Sequence, residues 1–153
     1  MGEFLQFGQK APDFELMDQD GRPYRLSERF GSRVQVVYFY PKDGSPICTK
    51  ESMTFREMHE QFQQMGAEVV GISADDVASH KQFSEELGLP FRLLSDEDNA
   101  VRRAYGASSM IGPGRVTFVI DRDGVVRHSF SSMMMASKHA EEAMRVVKEL
   151  LGK

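Results

Sequence analysis

Only one cysteine, Cys48, occurs among the 153 residues. A single thiol excludes an intrachain disulfide, and with it a stapled secreted scaffold or a C-x-x-C redox pair. Positive charge is also scarce: 19 Lys and Arg against 23 Asp and Glu leave a net charge of −4. A phosphate backbone attracts a basic face, so nucleic acid is excluded as the main partner. No apolar run reaches the roughly 18 residues that suggest a membrane span. No charged start with an apolar core and a cleavage site opens the chain. The expected compartment is the reducing cytoplasm. No repeat, low-complexity tract or linker divides the sequence, so one domain over residues 1–153 is expected.

Metal and phosphate motifs are missing as well. His59, His80, His128 and His139 show no metal-ligand spacing and read as surface residues or helix-terminal contacts. Gly112-Pro113-Gly114 lacks the Lys-Ser/Thr of a phosphate loop. It reads instead as a hinge ahead of Arg115. No metal and no cofactor is expected.

What is present is an alternation of strands and helices. Phe14 to Met17 and Tyr24 to Leu26 flank an Asp20-Gly21 turn, and Ser27 reads as the N-cap of a brief helix. Val34 to Tyr40, VQVVYFY, is almost continuously β-branched or aromatic, as in a strand buried on both faces. From Thr49 to Met65 the apolar residues Phe55, Met58, Phe62 and Met65 step by three and four, a helical stripe. Ala67 to Ile72 is a second buried strand. A helix capped by Asp75 or Asp76 runs to Leu87, and Phe91 to Leu94 is a third strand. Asp96 opens a short helix to Tyr105. Val116 to Ile120 and Val125 to Phe130 form a hairpin across Asp121-Arg122-Asp123-Gly124, and a final helix carries Ala140, Ala143, Met144 and Val147. The pattern predicts a three-layer α/β domain with a mixed sheet.

The lone cysteine stands where the first long strand gives way to the first long helix. A thiol is a nucleophile only as its thiolate. A helix N-terminus offers unpaired N–H groups and partial positive charge, which favour an anion. It is also the end of the sheet where α/β folds bind ligands. An inert buried thiol is the plainer reading of a lone cysteine. The strand-to-helix junction, Pro41 before it and the Ser45 hydroxyl three residues ahead point to chemistry instead.

Pro41, Ser45 and Cys48 match the peroxiredoxin active-site motif: proline, three residues, threonine or serine, two residues, cysteine. The surrounding VVYFYPKDGSPICTKES resembles the bacterioferritin comigratory protein or peroxiredoxin Q subgroup. GQKAPDFEL, GISADDVASHKQFSEELGLPFRLLSD, GRVTFVIDRDGVV and SKHAEEAM extend the resemblance over almost the whole chain. It implies a thioredoxin-like α/β fold with an N-terminal hairpin extension, and thiol-dependent peroxide reduction. By resemblance, Cys48 is the peroxidatic thiolate, which becomes a sulfenic acid. Ser45 would hold the thiolate and a peroxide oxygen in line. Pro41 would shield the sulfur. Arg115 would favour the thiolate and stabilise charge on the leaving oxygen. Serine in place of the commoner threonine keeps the hydroxyl but not the rotamer-restricting methyl.

The pattern breaks at the resolving thiol. Many members of the subgroup carry a second cysteine five residues after the first, where this chain has Met53. Five residues turn a helix by about 140°, so Met53 lies off the apolar stripe, toward the surface. Other members carry the resolving thiol on the next helix. There Ser84 shares the Val77–Leu87 face. It is either a native serine bonded to a helix carbonyl or what a cysteine-to-serine change leaves. An outside thiol (thioredoxin, glutaredoxin or a small thiol) must then complete the cycle, in a monomer or weak dimer. The alternative is a non-catalytic redox sensor or binding module that signals through oxidation of Cys48. Lys42 and Asp43 read as solvated loop charges. Met133-Met134-Met135 reads as loop packing, or else as an apolar lip on the site or a dimer contact.

Overall fold

A computed structural model describes residues 5–109 and 112–151. Its centre is the stretch with the strongest β pattern. Val34–Phe39 forms β3, with all six residues buried. Parallel to it runs β4 (Ala67–Ser73), and parallel to that β5 (Arg92–Ser95). On the other side β8 (Val116–Ile120) pairs antiparallel with β3, and β9 (Val126–Ser131) pairs antiparallel with β8. The early strands β1 (Glu15–Met17) and β2 (Pro23–Arg25) form a hairpin. The hairpin joins the sheet through the Met17–Ser95 pair, so it extends the sheet at one edge. The order β2-β1-β5-β4-β3-β8-β9 is a seven-stranded mixed sheet. A separate two-stranded ribbon pairs β6 (Ser108–Ser109) with β7 (Gly112–Pro113).

Alternate residues of β3 point to opposite faces, and each face has its own cluster. Val34, Val36, Tyr38 and Tyr40 pack with α1 (Pro46–Gln64), α2 (Val77–Leu87) and α4 (Ala136–Leu151) through Phe55, Phe62, Phe83, Ala140 and Val147. Val37 and Phe39 pack on the other face with Tyr24, Leu26 and, from the α3 segment (Ala100–Ala104), Val101 and Tyr105. These are the expected three layers. Two local readings shift. The brief helix is a 3-10 turn, Leu26–Arg29, whose N-cap is Arg25. Ser27 lies inside it and gives both its N–H and its hydroxyl to Asp13. The long helix begins at Pro46, three residues before the apolar stripe suggests. Proline has no N–H to lose at a first helical position, so it starts the helix rather than preceding it.

Gly71 lets the aromatic core close. Tyr38 stacks on Phe55 at 4.5 Å between ring centroids, and its hydroxyl is bonded to that of Ser52 at 2.8 Å. A Cβ on Gly71 would lie 2.7 Å from the Tyr38 ring. The ring is held at both ends and cannot retreat. Gly71→Ala is therefore expected to cost about 1–3 kcal/mol, read as a lower urea midpoint with an unchanged m-value. A midpoint at or above the parent's would mean that the ring has somewhere to go.

Candidate active site

Cys48 is the third residue of α1, after the N-cap Ser45, Pro46 and Ile47. The Ser45 side chain makes no capping bond. Its hydroxyl donates instead to the Lys42 carbonyl at 3.3 Å. The N–H groups of Ile47 and Cys48 therefore remain open at the positive end of the helix. The sulfur itself is fully buried.

Arg115 reaches Cys48 from just ahead of β8. Its Nη1 lies 3.4 Å from Sγ and 2.5 Å from Glu51 Oε1, and its Nε donates to the Met133 carbonyl at 3.2 Å. Burial opposes the Arg115 charge, but Glu51 and Cys48 outweigh it and hold its pKa above the ordinary value. Sequence separation is large here, and only the fold brings Arg115 and Cys48 together. Ser45 is one turn from the sulfur but bonded away from it. Pro41 is half-buried where β3 opens into the loop. Met53 is half-buried on α1, and Ser84 is buried on α2.

Three groups central to this pocket escape the sequence reading. Glu51, fully buried, lies one helical turn beyond Cys48, and the i, i+3 spacing was the available signal. Arg102 is 1% exposed. Its guanidinium donates to the carbonyls of Tyr40 at 2.6 Å and Gly114 at 2.7 Å. Those are the residues immediately before Pro41 and Arg115, so one side chain fixes both segments of the site. Gly114, taken above as part of a hinge, is clamped: its N–H donates to the Ala107 carbonyl at 3.0 Å. A Cβ there would sit 2.8 Å from that oxygen.

The third group is His139, and it corrects the reading of the histidines. His59, His80 and His139 are buried. The rings of His80 and His139 have polar partners that let them leave water, whereas His59 packs against Phe91 with its Nδ1 unpartnered among the described residues. Nδ1 of His80 is 2.7 Å from Asp43 Oδ2, and Nε2 donates to the Leu94 carbonyl at 3.0 Å. Asp43 is correspondingly no solvated charge. Its carboxyl also accepts from the hydroxyls of Tyr40 at 2.5 Å and Ser79 at 2.8 Å. His139 lies between the Thr117 hydroxyl, 2.7 Å from Nδ1, and the Ser132 carbonyl, 2.8 Å from Nε2. Burial pushes its pKa down to about 4. His128, half-buried, pairs with Glu142 at 3.0 Å.

A buried thiol, a guanidinium bonded to it and open N–H donors thus meet at the first turn of α1. Residues 7–129 match the model of the AhpC/TSA family. The chain belongs to that family. Among AhpC/TSA relatives, the chloroplastic Peroxiredoxin Q of Oryza sativa subsp. japonica is 47% identical over 146 residues, which span 94% of this chain and 67% of that protein. The crystal structure of Peroxidoxin BcpB from Mycobacterium tuberculosis is 36% identical with a TM-score of 0.89, covering 95% of this chain and 98% of that one. A Xanthomonas campestris Bacterioferritin Comigratory Protein structure, solved for insight into that protein's alkyl peroxide reduction activity, is 30% identical with a TM-score of 0.84. It covers 90% of this chain and 92% of that one. This AhpC/TSA member has the thioredoxin-like fold and is a thiol-dependent peroxidase. Among the described residues no helix is long and apolar enough to cross a membrane.

Proposed function

We propose that Cys48 is the peroxidatic residue and that its thiolate attacks the terminal oxygen of a hydroperoxide. The S–O bond forms as the O–O bond breaks. The leaving oxygen takes a proton and departs as water or an alcohol, and Cys48 is left as a sulfenic acid. The observation that carries this reading is the 3.4 Å contact from Arg115 Nη1 to the buried sulfur at the first turn of α1. The same guanidinium faces the oxygen on which charge develops. The open N–H groups of Ile47 and Cys48, with the Ser45 hydroxyl, would hold the two peroxide oxygens in line. Pro41 would close the pocket against water.

Organic hydroperoxides fit beside hydrogen peroxide. Met133, Met134 and Met135 are exposed, and the Met133 carbonyl is bonded to Arg115. An apolar lip therefore borders the site. With one cysteine in the chain, a second thiol must come from outside: thioredoxin, glutaredoxin or a small thiol. The setting is a reducing compartment, the cytoplasm, and the active unit a monomer or weak dimer built from one domain.

Stopped-flow mixing with peroxide is the test. The parent should react far faster than free cysteine, and Cys48→Ser should not react. A parent rate equal to free cysteine's would favour a redox sensor. Without a resolving thiol the sulfenic acid persists, so excess peroxide should add two or three oxygens to Cys48. Intact mass spectrometry reads this directly, and an unchanged mass would count against it.

A further inference from the structure

Glu51 has two carboxyl oxygens with different surroundings. Oε1 accepts from Arg115 at 2.5 Å. Oε2 is buried and has no hydrogen-bond partner. What faces it is Nδ1 of His139, at 3.5 Å. The protonation of that ring is fixed by its other side. A backbone carbonyl only accepts, so Nε2, 2.8 Å from the Ser132 oxygen, carries a hydrogen. In a neutral ring Nδ1 then has one lone pair, and a hydrogen on Glu51 Oε2 would share it with the Thr117 hydroxyl, 2.7 Å away.

A bare nitrogen and an ionised carboxylate oxygen would face each other as two lone pairs in a dry pocket. One hydrogen on Oε2 removes the conflict. The charges argue the same way. Among the described residues, Arg115 is the one cation bonded to both Glu51 and Cys48. If both were anions, its charge would be divided and the pocket left with a buried net negative charge.

We propose that Glu51 and His139 form a buried proton-holding pair, in which Glu51 keeps a hydrogen on Oε2 toward Nδ1 of His139 and so leaves the Arg115 charge to Cys48. His139 is then a positioning residue, acting on the sulfur through Glu51 and Arg115. This deepens the peroxidase reading and rests on it for the role of Cys48.

Burial pushes Glu51 up to about 8, in spite of Arg115, while His139 is pushed down to about 4. Between those limits the acid holds the hydrogen and the ring is neutral. The titratable and charged groups around Glu51 come from five elements or their edges. They are Cys48 on α1 itself, Arg115 ahead of β8, His139 on α4 and the Tyr38 phenol on β3, with Arg102 of α3 beyond the sulfur. Burial raises the Tyr38 phenol well above its ordinary range, so it stays neutral where Glu51 titrates. As pH rises through about 8, Glu51 ionises, draws Arg115 toward itself and weakens the site.

The peroxide rate constant should therefore show a falling limb above about pH 8, where the rate of an isolated thiol, with its ordinary pKa near 8.5, would still be rising. Glu51→Gln cannot ionise and should lose that falling limb. His139→Phe keeps the ring shape but removes the acceptor that favours the neutral acid. Its limb should move down by roughly half a unit to one unit. His139→Asn, which can restore an acceptor, should return the limb toward the parent's. A limb that persists in Glu51→Gln, or stays put in His139→Phe, overturns the pair.

Two measurements need no peroxide and no variant at His139. At neutral pH the infrared difference between parent and Glu51→Gln should show the carbonyl band of a protonated carboxyl, lost on titration through about 8. Long-range proton–nitrogen correlations should find His139 bare at Nδ1 and protonated at Nε2. Absence of the band, or a proton on Nδ1, overturns the pair even if Cys48 proves a fast peroxidase. A slow Cys48 with band and tautomer as expected would sink the peroxidase reading and the pair's effect on rate, and leave the proton where we place it.

Discussion

Replacing Arg115 by methionine is expected to slow the reaction of Cys48 with peroxide about 100-fold, the usual loss when a donor at a developing oxyanion is removed. Methionine is comparably long and fills much of the same channel, so the change isolates the lost donors. The guanidinium makes three contacts at once, to Sγ, to Glu51 Oε1 and to the Met133 carbonyl. Without it the sulfur has no cation bonded to it. The carboxyl and the carbonyl lose a donor each, which adds a stability cost of about 1–3 kcal/mol. Arg115→Lys keeps the charge but offers no planar fork, so it should recover only part of the rate. Stopped-flow kinetics and chemical unfolding on the same samples separate the two effects. A methionine variant within threefold of the parent rate would remove Arg115 from the mechanism.

The second large effect is a pH dependence of stability centred on His139. Its folded-state pKa is pushed from 6.5 to about 4 by burial. Above pH 6.5 the ring is neutral whether the chain is folded or not, and its contribution is fully present. As pH falls, the unfolded chain binds a proton that the folded chain refuses. By pH 4 about 3 kcal/mol of stability has been lost through this one group. Glu51 works in the opposite direction. Its raised pKa means that the folded chain keeps a proton which the unfolded chain releases above about 4.5, so its contribution falls as pH rises toward 8. Between pH 4.5 and 6.5 the two slopes oppose each other, and the parent's own curve is a poor readout. The comparison with His139→Phe is the sharp one. From pH 6.5 to pH 4 the variant should gain about 3 kcal/mol relative to the parent, by urea unfolding at each pH. A difference that stays constant over that range would mean that His139 is not held neutral by the fold.

Strands and helices were legible wherever the hydrophobic period was strong. Val34 to Tyr40 and the Phe55–Met65 stripe identified the central strand and the long helix, and both are there, the strand ending at Phe39 and the helix starting three residues earlier than the stripe suggests. The attachment of the β1–β2 hairpin to β5 was not legible, because the Met17–Ser95 pair joins residues far apart in sequence and neither residue advertises its partner. The site divides in the same way. Cys48, Ser45, Pro41 and Arg115 could be named from local motif and resemblance. Glu51, Arg102 and His139 could not. Charged and polar residues are assigned to the surface by default, and each of these is buried only because groups from other elements meet it. Arg102 is buried against the backbones of Tyr40 and Gly114, and His139 between Thr117 and Ser132.

Asp43 lies in the stretch between Pro41 and Cys48, and it is fastened on one side to Tyr40 and on the other to Ser79 and His80 of α2. A protein that stored its oxidation as a bond between Cys48 and a thiol at position 53 or 84 would have to break such fastenings at every turnover, because the two sulfurs must meet. This chain has Met53 and Ser84 there, and no second thiol to meet. On the reading proposed for Cys48, the second thiol is the reductant's, and no disulfide within the chain has to form. The fastenings around Asp43 then need not break for an internal disulfide, and on the same reading the reducing thiol has to gain access to a sulfur that is fully buried.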